Sequence, residues 1–145
     1  MPEPLAGARA MWAADAASAA LGMRVEDLDE GRAVVSMVVR DDMVNGHDLC
    51  HGGLIASLAD SAFALACNSH GPVTVAAGFS VDFLAPARLG QVLHAEAREV
   101  SLRGRSGVYD VTVRADAPEV GDVVAVFRGR SRSLGRPIGS GDSAG

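Results

Sequence analysis

The chain has 145 residues, 48% of them apolar, and a net charge of −5 from 18 acidic residues against 13 arginines, with no lysine at all. This length fits one domain and this composition supplies a core, while the acidic balance argues against a nucleic-acid surface. No apolar run approaches the roughly 18 residues that span a membrane, and no basic segment with an apolar stretch behind it opens the chain, so the expected location is the cytoplasm with no membrane partner.

In chain order, residues 5 to 21 are Ala-rich and predict a helix by propensity, with Gly22 as its stop. Residues 24 to 29 and 32 to 40 predict two strands across an Asp-Glu-Gly turn, the second at β-branched density in Val34, Val35, Val38 and Val39. A polar loop rich in Gly and His then runs from Asn45 into residues 54 to 67. That segment is apolar nearly all round, the pattern of a helix buried on every side. Residues 73 to 84, 91 to 102, 106 to 115 and 120 to 133 predict four more strands, separated by segments of turn chemistry. The Gly/Ser-rich end, 135 to 145, is expected to be disordered, leaving one domain over 5 to 134.

Two strands, a buried helix and four consecutive strands give an α+β domain with an antiparallel sheet of five to six strands. A sheet covers only part of a helix that is apolar on all faces. The remainder needs another layer or a second subunit, and the long strand at 73 to 84 is the expected edge partner for a two-fold mate.

The buried helix carries one carboxylate, Asp60. Asp is among the residues least often fully buried, and an unpaired carboxylate in such a setting is costly and has its pKa raised. That makes Asp60 a candidate for chemistry, against the plainer reading of an Asp on a helix face open to solvent or to a satisfied interface. Gly52 and Gly53 stand where the helix begins. Its first N–H groups have no intrahelical partner, and glycine lets a reacting group approach them. Together with the positive end of the helix dipole they make an oxyanion site.

Asn45-Gly46-His47, His51-Gly52-Gly53 and Leu58-Ala59-Asp60, followed by Phe83-Leu84-x-Pro86 and Phe127-Arg128-Gly129, resemble the PaaI-type acyl-CoA thioesterases of phenylacetate degradation. The likeness runs from about Trp12 to Leu134. It implies the hotdog fold, in which the sheet wraps one long central helix and the molecules associate as dimers or dimers of dimers. It also implies hydrolysis of an aryl-acetyl or similar acyl-CoA. The Gly52 N–H would polarise the thioester carbonyl, Asp60 would attack it or activate water, and Asn45 and His51 would position them. No cofactor is implied, since coenzyme A is part of the substrate.

Gly52 and Asp60 are eight residues apart, roughly 12 Å along a helix axis, too far for both to serve one thioester group. Either one of them is not catalytic or the site is shared. In a two-fold dimer with antiparallel central helices, Gly52 of one subunit faces Asp60 of the other, as the resemblance also implies.

Coenzyme phosphates call for basic groups at the mouth of the site. Arg88 is the first candidate. Arg128, Arg130 and Arg132 alternate along one strand face, which is most often simply the solvent side. Gly53 at the helix start belongs to the substrate-binding set. Ser61 is a candidate to orient water, though a helical Ser more often bonds its own backbone, and Phe63, Phe79 and Phe83 are candidates for an acyl pocket, or core. His47 braces the loop, His70 is placed to cap the helix, and His94 reads as surface.

His47-x-x-Cys50 and Cys67-x-x-His70 mimic paired zinc ligands. A helix between them holds the pairs about 20 Å apart, so no metal is expected within one chain. A disulfide is not expected either. The rival readings are a hotdog-type hydratase or dehydratase, with His51 paired to a carboxylate, and a non-catalytic acyl-CoA-binding protein.

Overall fold

A computed structural model of the chain describes residues 4 to 138. Two short helices, α1 (Pro4–Ala13) and α2 (Ala16–Ala20), precede the hairpin β1 (Arg24–Asp29) and β2 (Arg32–Val38). A single 3-10 turn at Asp41–Met43 leads to the long helix α3 (Gly52–Asn68), and β3 (Pro72–Phe83), β4 (Val92–Arg103), β5 (Ser106–Ala115) and β6 (Val123–Pro137) complete the chain. The strands form one antiparallel sheet in the order β1-β2-β4-β5-β6-β3. A six-stranded sheet around one long helix is the hotdog architecture. Among the described residues no helix is long and apolar enough to cross a membrane.

The period-two patterning of the strands explains how α3 is held. Across β2, β4, β5 and β6 the register aligns Val35, Ala95, Val113 and Ala125 in one row and Ala33, Ala97, Val111 and Phe127 in the next, all buried toward the helix. From α3, Ile55, Leu58, Ala59, Ala62, Phe63, Leu65 and Ala66 pack into that surface. The sheet does not cover the helix all round. Gly53 is exposed and Ser57, Asp60 and Ala64, at helical spacing from it, are half-buried. β3 stands at one end of the sheet, hydrogen-bonded to β6 on one side only.

Three expectations need correction. Residues 5 to 21 form two helices, not one, because Asp15 takes an extended conformation and its Oδ1 accepts the Ser18 N–H at 2.9 Å, starting α2 afresh. His70 does not cap α3. Ser69 is the cap residue, its Oγ donating to the Ala66 carbonyl at 2.6 Å, while His70 Nε2 lies 2.6 Å from Glu99 Oε1. β6 begins at Val123 and runs on to Pro137, which pairs with Pro72, so residues 135 to 137 belong to the sheet. Ile138 follows, its N–H donating to the Gly71 carbonyl, and the rest of the segment expected to be disordered, 139 to 145, lies outside the described residues.

Gly129 marks the tightest contact between sheet and helix. A Cβ there would lie 2.7 Å from the Phe63 ring, which is 1% exposed and hemmed in by Tyr109 and Phe127 at ring-centroid distances of 5.6 and 5.8 Å. Gly129→Ala should therefore cost about 1–3 kcal/mol through overpacking. In urea unfolding this appears as a lower midpoint with an unchanged slope.

Candidate active site

The loop before α3 is built by Asn45. Its Oδ1 accepts the backbone N–H groups of His47 at 2.9 Å and Leu49 at 3.2 Å, and its own N–H donates to the Leu49 carbonyl. Asp48, at φ 59°, takes the left-handed turn that brings the chain back. His51 then donates its N–H to the Met43 carbonyl, while its carbonyl accepts from Leu54 and Ile55. The His51 side chain is exposed and makes no cap bond. The N–H groups of Gly52 and Gly53 donate to no acceptor among the described residues.

Phe83, at the end of β3, lies across this helix start. A Cβ on Gly52 would sit 2.9 Å from the Phe83 ring, so the glycine lets the aromatic lie against the helix start. Asn45, Gly52, Ile55 and Phe83 line one depression together with the segment from Leu84 to Ala87. Of the residues singled out from sequence, Asn45, Gly52 and Phe83 thus meet here, with His51 and Gly53 adjoining in the chain. Arg88 is near by sequence and by a β-bridge to Leu49, and its exposed guanidinium has no ion pair or side-chain hydrogen bond among the described residues.

Asp60 lies eight residues along the unbroken helix, roughly 12 Å away, and does not join that depression within the chain. Its carboxylate is half-buried and has no hydrogen bond or ion pair among the described residues. Burial pushes its pKa up, and the Asp15 carboxylate pushes it further in the same direction. Cys67, two turns on, is pushed up to about 12 by burial and stays a neutral thiol.

Ser61 is neither free nor bonded to its own helix. Its Oγ lies 2.8 Å from Ser18 Oγ on α2, which in turn donates to Asp15 Oδ2 at 2.7 Å. It is Ser57 that bonds back along α3, to the Gly53 carbonyl at 2.8 Å. Sequence reasoning missed Asp15 and Ser18 in this position. The available signal was Asp15 as a helix-capping residue inside an Ala-rich run.

The other candidates scatter. Arg128 is clamped by Asp110 through two bonds of 2.6 and 2.8 Å, and Arg132 reaches Ser106 Oγ. Phe63 is core, while Phe79 is half exposed at the sheet edge and stacks on Phe127 with ring centroids 4.6 Å apart. His94 is half-buried, not a simple surface residue, and its Nδ1 is closed off from solvent without a partner among the described residues. Among the described residues no three His, Cys, Asp or Glu side chains converge to hold an ion, and Cys50 and Cys67 are free thiols.

Residues 47–121 match the family described as the thioesterase superfamily. The chain is 44% identical over 131 residues to the acyl-coenzyme A thioesterase PaaI of Escherichia coli K12, spanning 90% of this chain and 91% of that protein. The solved structure of the E. coli PaaI protein from the phenylacetic acid degradation operon superposes with a TM-score of 0.88 at 43% identity, covering 93% of this chain and 96% of that one. A Streptococcus mutans UA159 protein, smu.793, solved bound to acetyl CoA, superposes with a TM-score of 0.73 at 26% identity over 79% of this chain and 90% of that one.

The raised pKa of Asp60 has a consequence for stability. The folded chain holds this proton more tightly than the unfolded chain, so the associated stability is fully present below the ordinary value of 3.8 and is lost as pH rises through the higher folded-state value. Asp60→Asn should therefore raise Tm by a few degrees at neutral pH. The difference should close as the solution is acidified below the carboxylate range, which thermal unfolding at a series of pH values reads directly.

Proposed function

This chain belongs to the thioesterase superfamily and is an acyl-CoA thioesterase of the PaaI type, and from that premise we propose that it hydrolyses phenylacetyl-CoA, hydroxyphenylacetyl-CoA or a related aryl- or acyl-CoA. The reading rests on one observation above the others. A single buried helix offers unsatisfied N–H donors at its start and, eight residues on, a desolvated carboxylate with no partner among the described residues. Acyl transfer from a thioester needs both: a donor for the oxygen that becomes negative and a group to attack the carbon or to activate water.

In this reading the Gly52 N–H receives the thioester oxygen, and Asp60 either attacks the carbonyl carbon, expelling the coenzyme thiolate to leave an anhydride that water opens, or takes a proton from the attacking water. Asn45 and His51 position the helix start and the acyl group, with Gly53 beside them. The roughly 12 Å between donor and carboxylate supports a site shared between the two subunits of a two-fold dimer. Support for a second subunit comes from the half-open face of α3 that carries Asp60, and from the edge strand β3, where Phe79 and Phe83 are 45% and 51% exposed. The coenzyme needs no further cofactor and no metal. Binding of acetyl CoA by the S. mutans protein of the same fold supports a CoA thioester as the substrate class. Of the basic groups, Arg88 is the one we assign to the coenzyme phosphates, because Arg128 is already committed to Asp110. An acyl-CoA substrate supports a cytoplasmic location.

Asp60→Asn should keep the fold and lose nearly all thiol release from phenylacetyl-CoA. Gly52→Pro, which removes the N–H, should also be inactive, whereas Gly52→Ala keeps the donor and should retain activity once the half-exposed Phe83 swings aside. Mixing the two dead proteins under subunit exchange should restore up to about a quarter of wild-type activity, the statistical yield for a site shared across a two-fold dimer. No recovery from demonstrated heterodimers, with Gly52→Pro shown to fold, would mean that donor and carboxylate lie in one chain or that one of them is misassigned.

Arg88→Ala should raise KM with little change in kcat, by roughly two- to fivefold at low salt, since an exposed contact of this kind contributes at most about 1 kcal/mol. The effect should fade as added salt screens the phosphate contact.

A further inference from the structure

The contact between Ser18 and Ser61 joins α2 to the helix that carries Asp60, and its hydrogen-bond polarity is fixed from one end. An ionised carboxylate only accepts, so the Ser18 hydroxyl spends its one proton on Asp15 Oδ2, 2.7 Å away. The 2.8 Å contact between the two serine oxygens then requires Ser61 to be the donor. Ser18 is 3% exposed, which removes water as a competitor for either bond. Asp15 itself is doubly engaged, since its Oδ1 accepts the Ser18 N–H at 2.9 Å. Capping α2 needs only that Oδ1 contact, so the bond from the Ser18 hydroxyl exceeds what starting the helix requires.

We propose that Asp15 is a positioning residue of the active site: through Ser18 it takes up the only hydroxyl proton of Ser61, so that Ser61 cannot donate to the neighbouring Asp60 carboxylate, and its own negative charge keeps the electron pairs of Asp60 available. This rests on the assignment of Asp60 under the thioesterase reading, and it holds for either role of that carboxylate, because a nucleophile and a general base are both weakened by a hydrogen-bond donor. The groups coupled to Asp60 among the described residues are Asp15, at the start of α2, and Cys67 on α3 itself, whose thiol stays neutral. Asp15 therefore supplies the charge. Whatever a second subunit adds is common to wild type and variant.

The test uses Asp15→Asn and Ser18→Ala in the full chain. Asparagine caps helices as well as aspartate does, so the first variant keeps the start of α2 while removing the charge and placing an NH2 donor against Ser18. Ser18→Ala keeps both cap side chain and charge but breaks the relay. Hydrolysis of phenylacetyl-CoA is followed by thiol release across pH, and the Asp60 carboxyl is titrated by carbon NMR in the substrate-free proteins. In Asp15→Asn the Asp60 midpoint and the acid limb of kcat should both move to lower pH by about half a unit to one unit. The plateau of kcat should fall roughly threefold as the carboxylate loses basicity, with KM little changed. Ser18→Ala should move the midpoint in the same direction by less, and adding Ser61→Ala, which leaves no hydroxyl to donate, should return it to the wild-type value. A midpoint equal in wild type and both single variants overturns the proposal, and a shift in Asp15→Asn alone overturns the relay through Ser18. Because the titration needs no substrate, a shifted midpoint in a protein that hydrolyses no acyl-CoA would instead overturn the thioesterase reading.

Discussion

Everything in this chain depends on how closely a seventeen-residue helix can approach the sheet beneath it. The two central rows under α3 contain Ala33, Ala95, Ala97 and Ala125, and the helix answers with Ala59, Ala62 and Ala66, all buried. Small residues on both sides bring the two backbones together, and larger ones fill the flanks, with Met37 and Leu93 toward one end and Tyr109 and Phe63 toward the other. Interiors packed to crystal-like density pass a displacement on to their neighbours. Gly129 under Phe63 and Gly52 under Phe83 are two points along the helix–sheet contact where a single methyl group would be felt.

This close approach shapes the candidate site as well as the fold. It sets the N–H groups of Gly52 and Gly53, without acceptors among the described residues, beside the end of β3, and it half-buries Asp60 with no countercharge among those residues. A protein built only for stability would replace such a carboxylate or pair it. Here the charge that acts on it is another carboxylate, Asp15, whose repulsion adds to the desolvation. Core packing elsewhere offsets that cost, as is usual where a site is held ready for reaction.

The strands were legible because their signals are local. Alternating apolar residues, β-branched density and Gly-rich turns placed β1 to β5 within a few residues, and the all-round apolar segment placed α3. Asp60 and the Gly-Gly start stood out for the same reason, as a charge and two glycines in an apolar context. Contacts between distant segments were not legible. Asp15 is visible as a capping residue type inside the Ala-rich run of residues 5 to 21, but its spacing alone does not say that it outweighs alanine propensity, nor that Ser18 meets Ser61 forty-three positions later. The C-terminus of α3 was misread because its carbonyls are satisfied by Asn68 and Ser69, short side chains already at the helix end, which left His70 for Glu99. The extension of β6 to Pro137 follows from pairing with Pro72, a partner that composition cannot name.

The two ends of α3 are finished in opposite ways. At the C-terminal end the Ala64 carbonyl accepts from Asn68 Nδ2, the Ala66 carbonyl from Ser69, and the Asn68 carbonyl from Gly71, while the Ser69 hydroxyl itself is closed off by the Gly31 N–H. At the N-terminal end two N–H groups are left without acceptors among the described residues. The helix thus works as a one-sided electrode: its negative pole is short-circuited inside the protein, and its positive pole is left open. In the proposed reaction, charge that develops on the thioester oxygen at Gly52 would meet that field without the donors having to turn toward it, so solvent reorganisation at that point would be complete before reaction begins.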